Sequence, residues 1–215
     1  MRYLIKLGKK LWPLNRSLTG QDNRRTLLIL KEKIPNLKIK YFRSGSRVFD
    51  WVIPDEWNVK DAYIRDKNNK KIVSFKKNNL HLVSYSQKIK TTLNKNQLIK
   101  KLFSNKSLSN AIPYVTSYYK KDWGFCITHN QKIKILKRYK KKDKFKVIID
   151  SSFKKKGLMH YGEVYIPGKS KEEILLTTYI CHPSMANNEL SGPTVVTFLA
   201  KWLSEQSNLR YSYRI

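Results

Sequence analysis

The chain has 215 residues, 40% of them hydrophobic, with 13 Tyr, 8 Phe and 5 Trp spread along it. That suffices for one domain or two small ones and excludes an intrinsically disordered chain. Lys and Arg number 45 against 15 acidic residues, a formal charge of +30, so the surface should attract polyanions in a salt-dependent way; the two cysteines, Cys126 and Cys181, exclude a disulfide framework and fit a reducing cytoplasm.

In chain order, residues 1–10 are basic without a sustained apolar core, so they read as neither a signal peptide nor a membrane span. The spacing predicts a helix over residues 22–33 with Leu27, Leu28, Leu30 and Ile34 as its buried side, stopped by Pro35. From Leu37 the period changes to two. Strands are predicted over 37–41 and 48–53, followed by a hairpin from 62–64 and 72–75 around the turn 66–70, and a strand over 80–85. A short helix over 96–103, strands over 114–119, 124–128, 144–150 and 161–166, and a turn at 167–170 complete this part. The middle, residues 38–143, therefore reads as a β-rich module inserted between an opening helical segment (1–37) and an α/β part (144–215).

Residues 173–180 form a short apolar run, the pattern of an inner strand of a largely parallel sheet. A polar loop follows, then a helix in which Val195, Leu199 and Trp202, with Val196, Phe198 and Leu203, recur at helical spacing and Ser191 is a plausible cap. His182 sits at the carboxyl edge of that strand, where open α/β sheets place ligands, and is the first site candidate. Neighbouring strand residues point to opposite faces, so Cys181 reads as a packing residue.

Other chemistry is weaker. His81 reads as a satisfied strand residue; Asp50, Asp55 and Glu56 read as structural, beside Trp51 and Trp57 that fill a core. Gly168-Lys169-Ser170 precedes a strand and not a helix, so it is no phosphate loop. No Gly-x-Ser-x-Gly elbow supports a serine nucleophile.

The stretch from Thr177 to Pro193, with its Cys-His-Pro turn and Leu-Ser-Gly, resembles the motif of bacterial aminopeptidase-like proteins related to the zinc aminopeptidase clan. Arg16-Ser17-Leu18-Thr19-Gly20, Phe49-Asp50-Trp51, Leu80-His81-Leu82, Ile112-Pro113-Tyr114, Asp122-Trp123-Gly124 and Tyr211-Ser212-Tyr213-Arg214 extend the resemblance through nearly the whole chain. It implies an α/β fold, a mixed sheet with flanking helices, incomplete at the C-terminus and carrying the β-rich insertion. It also implies zinc, metal-assisted hydrolysis of a peptide or related amide bond, and a link to surface-polysaccharide gene clusters. The metal ligands it implies are His182 and a carboxylate at the position of Asn188; Glu189 is the substitute, although a side chain one position along is expected to point elsewhere. The family's glutamate general base is expected beyond Ile215, so the chain reads as an N-terminal portion, inactive alone, that a second fragment could complete. The alternative is a non-catalytic basic module that binds RNA or another polyanion. The lysines are dispersed and no nucleic-acid signature accompanies them, which favours compositional drift as the source of the charge.

Overall fold

The computed structural model describes residues 2–215, from the first helix onward; Met1 lies outside the described residues. In chain order the elements are α1 (Arg2–Leu11), α2 (Gln21–Lys31), β1 (Lys38–Arg43), β2 (Arg47–Val48), β3 (Trp51–Val52), β4 (Glu56–Arg65), β5 (Lys71–Ser74), β6 (Ile89–Asn94), α3 (Lys95–Ile99), β7 (Leu102–Phe103), β8 (Phe125–Cys126), α4 (His129–Arg138), β9 (Lys144–Lys154), β10 (Leu158–Glu163), β11 (Tyr165–Ile166), β12 (Glu173–Leu175), α5 (Ser191–Ser204) and β13 (Ser212–Arg214). They divide into two compact units, one made of residues 1–56 with 154–215, the other of residues 57–153. The sequence placed the inserted segment at 38–143. The division falls later because β1 pairs antiparallel with β10, Lys38 opposite Glu163 through Arg43 opposite Leu158, a long-range pairing that no local pattern announces.

In the discontinuous unit the core gathers Leu7 and Leu11 of α1, Leu30 of α2, Ile34 and Leu37, Val164, Ile166, Leu190, Ala200 and Leu203. Helix α1 was not foreseen, yet Leu4, Leu7 and Leu11 recur at intervals of three and four, the stripe a buried helix face needs. Helix α2 matches the predicted helix, with one correction: Leu27 and Leu30 are buried, but Leu28 is 56% exposed, because one residue on from Leu27 is about 100° around the helix. The predicted strand over 48–53 is instead the tight β2–β3 hairpin, turned by Phe49 in the left-handed region at φ 54°. Strands β11, β13 and β12 form a mixed sheet in that order, β13 in the centre, antiparallel to β11 and parallel to β12.

The unit of residues 57–153 is built on a four-stranded sheet in the order β5-β4-β9-β6. The β4–β5 hairpin stands where the sequence put it, with Tyr63 opposite Ser74 and Ile64 opposite Val73. Phe145, Val147 and Ile149 alternate inward along β9. The predicted strand over 80–85 is a 3-10 turn at Asn79–His81, because the Asn78 side chain accepts the Leu80 N–H and starts a turn. Of the strands predicted over 114–119 and 124–128, Phe125–Cys126 forms, and Thr116 makes a single bridge to Ser84. Helix α4 is set by a capping box in which Thr128 and Gln131 exchange side-chain and backbone hydrogen bonds.

Asp66 organises the β4–β5 turn: it accepts the N–H groups of Asn68 and Lys70, and the Tyr139 hydroxyl at 2.8 Å. Burial pushes its carboxyl up, but these donors outweigh burial and hold it below the usual range. With the folded value depressed, the stability Asp66 contributes is complete above its unfolded value of about 3.9 and is lost as pH falls through the folded value. Urea melts between pH 3 and 7 should therefore show Asp66→Asn less stable than the parent at pH 7, with the two converging towards pH 3.

Candidate metal centre

The strand that leads to His182 differs from its predicted form. Residues 173–180 were expected to be one inner strand; β12 ends at Leu175 and lies at the edge of its sheet, with Leu175 63% and Tyr179 49% exposed. The last bond of the ladder is Leu176 N–H to Arg214 O at 2.9 Å. The chain then continues to Ile180, whose carbonyl accepts the Asn23 side-chain amide at 3.0 Å. Asn23 is itself held to Ser17, donating to its carbonyl and accepting its N–H.

After Cys181-His182-Pro183, Ser184 and Met185 both take positive φ, 52° and 51°, and reverse the chain into a π-helical turn at Ala186–Leu190 that runs directly into α5. Ser191 is therefore not a cap: helix precedes it, and its hydroxyl donates to the Asn187 carbonyl. The face of α5 is also corrected. Pro193, Thr194, Thr197, Ala200 and Leu203 are buried, while Val195, Leu199 and Trp202 are exposed.

The wide turn decides which side chain enters the site. Both the Glu189 and Leu190 N–H groups bond to the Met185 carbonyl, the second closing a five-residue π turn. That register sends Asn188 out to solvent and Glu189 inward, to 0% exposure. Glu189 Oε1 accepts the His182 N–H at 2.7 Å, and Oε2 lies 3.0 Å from His182 Nδ1. Contrary to the expectation that it would point elsewhere, Glu189 faces His182. Cys181 joins it too, with Sγ 3.2 Å from His182 Nδ1. It lies beyond the end of β12, so strand alternation does not separate the two side chains. One ligand atom from each of Cys181, His182 and Glu189 lies within 4.8 Å of the others.

Arg16, which the sequence offered only as part of a motif, stands behind this cluster. It is 1% exposed and donates to the carbonyls of Leu11 at 2.5 Å and Ser184 at 3.5 Å. Burial lowers its pKa to about 10, against the opposing pull of Glu189, then Asp22 and Cys181. The signal was present: a buried carboxylate needs a buried cation, and an Arg in a loop of Ser, Thr and Gly is a candidate. Burial, and then the charge of Glu189, push the Cys181 thiol up to about 12, so it is protonated at neutral pH and is no free thiolate nucleophile. The Tyr179 ring meets His182 edge-on, with centroids 5.8 Å apart.

The remaining candidates take no part. His81, in the unit of residues 57–153, is buried with Nδ1 2.7 Å from the Cys126 carbonyl. Asp50 is exposed, and Glu56 is buried in an ion pair with Arg24 at 2.8 Å while accepting the Leu158 N–H. No helix among the described residues is long and apolar enough to cross a membrane.

Against known proteins, the chain is 45% identical over 211 residues to a polysaccharide biosynthesis protein with an aminopeptidase-like domain from Clostridium acetobutylicum, covering 98% of this chain and 47% of that one. A crystal structure described as a peptidase, from the same organism, matches with a TM-score of 0.92 at 45% identity over 99% of this chain and 49% of the other. A peptidase M28 precursor from Shewanella amazonensis matches at TM-score 0.56 and 9% identity, over 99% of this chain and 65% of that one. A zinc aminopeptidase from Bacillus subtilis matches at 0.52 and 11%, over 98% and 60%; these two show the fold alone. The chain spans about half the length of the Clostridium relatives. The profile of the domain-of-unknown-function family DUF4910 matches residues 5–215, and with the close likeness to the Clostridium relative this places the chain in the DUF4910 family, with an aminopeptidase-like α/β fold.

Proposed function

We propose that this chain carries part of the centre of a metal-dependent amide hydrolase, with Cys181, His182 and Glu189 holding one zinc ion. The observation that carries the reading is the convergence of a thiol, an imidazole and a carboxylate within 4.8 Å. The donors fit the metal: zinc takes sulfur, nitrogen and oxygen ligands at about 2.0–2.3 Å, which puts tetrahedral ligand atoms about 3.5 Å apart. A three-ligand set also leaves a position open. Glu189 supplies the charge that Asn188, turned to solvent, does not. The buried Arg16 cation favours one divalent ion over two.

A zinc ion bound there would polarise an amide carbonyl and lower the pKa of a bound water. The protein's own contributions are separate. Glu189 fixes His182 through both its N–H and its ring, the buried Arg16 cation sits within reach of the Glu189 charge, and the Cys181 thiol gives up its proton on ligation. No further carboxylate or imidazole joins the cluster among the described residues, so a general base must come from elsewhere. The name of the Clostridium relative, a polysaccharide biosynthesis protein with an aminopeptidase-like domain, supports a substrate in which an amide joins an amino acid, or a sugar, to a second group.

After loading under reducing conditions and exhaustive dialysis, mass spectrometry should find one zinc per chain. His182→Ala and Glu189→Gln should lose it, while Asn188→Asp should leave the stoichiometry at one. Zinc retained by His182→Ala, or none taken up by the parent, would overturn the reading.

A further inference from the structure

The lysines that are dispersed along the sequence gather in the fold. In the unit of residues 57–153 the acidic residues are Asp61, Asp66, Asp122, Asp143 and Asp150, with no glutamate. Two of them, Asp66 and Asp143, lie where the β4–β5 turn, the end of α4 and the start of β9 come together. The Tyr139 hydroxyl donates to Asp66 at 2.8 Å and so ties α4 to the turn, while Lys67 ties the turn to Asp143 at 3.2 Å. Lys95, at the start of α3, donates to the Leu136 and Tyr139 carbonyls and holds the end of α4 as well.

Both carboxylates are spent inward. Asp66 is 5% exposed and Asp143 9%, and they also accept backbone N–H groups, Asp66 from Asn68 and Lys70, Asp143 from Lys140. The cations around them face out. Lys70, Lys137, Lys140, Lys141, Lys142 and Lys144 are exposed and make no ion pair among the described residues, and Arg138 is exposed beside them. Like charges gathered in one place repel one another, and with the nearby carboxylates already engaged the relief must come from an external anion.

The class of partner follows from what stands among these cations. A nucleic acid would use rings for its bases and guanidinium forks for its phosphates. Tyr139 is buried edge-on against Phe145, with ring centroids 5.0 Å apart, so it offers no base a surface to stack on. Arg65 is already bonded to Asn69, which leaves Arg138 among lysines. An acidic polysaccharide asks for less: separate carboxylates, each met by one ammonium, and hydroxyls that side-chain amides can meet. Asn68 and Asn69 stand exposed at the tip of the turn, between Lys67 and Lys70. We propose that this end of the unit binds an acidic polysaccharide through its carboxylates. That the same glycan carries the amide to be hydrolysed rests on the functional reading; the binding itself does not.

The test is fluorescence anisotropy of labelled polygalacturonate with the 215-residue chain, in EDTA so that no metal bridges the two. Binding should weaken as salt is raised, and uncharged dextran should not compete. The triple variant Lys140→Gln, Lys141→Gln, Lys142→Gln should bind roughly tenfold more weakly. Lys70→Gln with Lys137→Gln, drawn from the other two elements, should weaken binding in the same direction. The control is Lys154→Gln, Lys155→Gln, Lys156→Gln, an equal loss of charge from an exposed run in the other unit, which should change affinity less than about twofold. Thermal transitions of all three variants should match the parent, since the altered side chains are exposed. Equal losses in the two triple variants, no binding at physiological salt, or polyuridylate RNA displacing the glycan at equal charge and depending on the same lysines would overturn the proposal. Binding to polygalacturonate by a chain that takes up no zinc would uphold it and sink the functional reading instead.

Discussion

Replacing Arg16 by leucine should cost about 3–5 kcal/mol, and replacing Glu189 by leucine a similar amount, because each change strands a buried charge. The double variant should be less destabilised than either single one. Arg16 is 1% exposed and Glu189 0%, and the Glu189 charge is the first influence opposing the desolvation of Arg16. With neither partner present no buried charge remains, and a non-additive cycle follows. In a chain of this length the single changes should lower Tm by roughly 10 °C. Guanidinium melts of the four proteins supply the coupling energy; additive costs would show that Arg16 serves only the Leu11 and Ser184 carbonyls.

Gly168→Ala should be comparably severe. A Cβ there would lie 2.2 Å from the Tyr211 carbonyl oxygen, 2.3 Å from its carbon and 2.8 Å from the Ser212 nitrogen, all of them backbone. The segment cannot swing clear, since Gly168 donates to Ser212 Oγ, Lys169 to the Leu209 carbonyl and Ser170 to the Arg210 carbonyl. Relief requires moving the approach to β13, the central strand of its sheet, at about 3 kcal/mol or more. Gly45→Ala is the contrast: its φ of 86° strains any side chain, but nothing lies within 4 Å, so the cost is about 1–2 kcal/mol. Circular dichroism melts of the two variants should separate clash from strain; equal midpoints would contradict the assigned contact.

The sequence made the aminopeptidase-like fold legible through its motif blocks, and the β4–β5 hairpin through its turn residues. It misplaced the buried face of α5 for a physical reason. Thr194 and Thr197 turn their hydroxyls back onto the carbonyls of Leu190 and Pro193, so they enter the interior already satisfied, whereas a count of apolar residues assigns that interior to Val195, Leu199 and Trp202. The choice between Asn188 and Glu189 was equally hidden. It depends on one extra residue in the π turn, a register set by the paired positive-φ residues Ser184 and Met185 and not by any local propensity. Nor could the thiol of Cys181 be placed beside His182 while the strand was expected to run on to Ile180.

The interrupted layout of the chain sets an order of events on the ribosome. Residues 57–153 are contiguous, and their sheet can close as soon as β9 has emerged. Strand β1 has no such neighbour: its partner, β10, is made more than a hundred residues later, and β11 must in turn wait for β13. Synthesis at about 5–20 residues per second leaves β1 and the apolar side of α2 exposed for several seconds while the internal unit forms. Mutations that slow chain release or weaken α1 and α2 should therefore first appear as loss of newly made protein to proteolysis or aggregation, before any effect on the finished molecule.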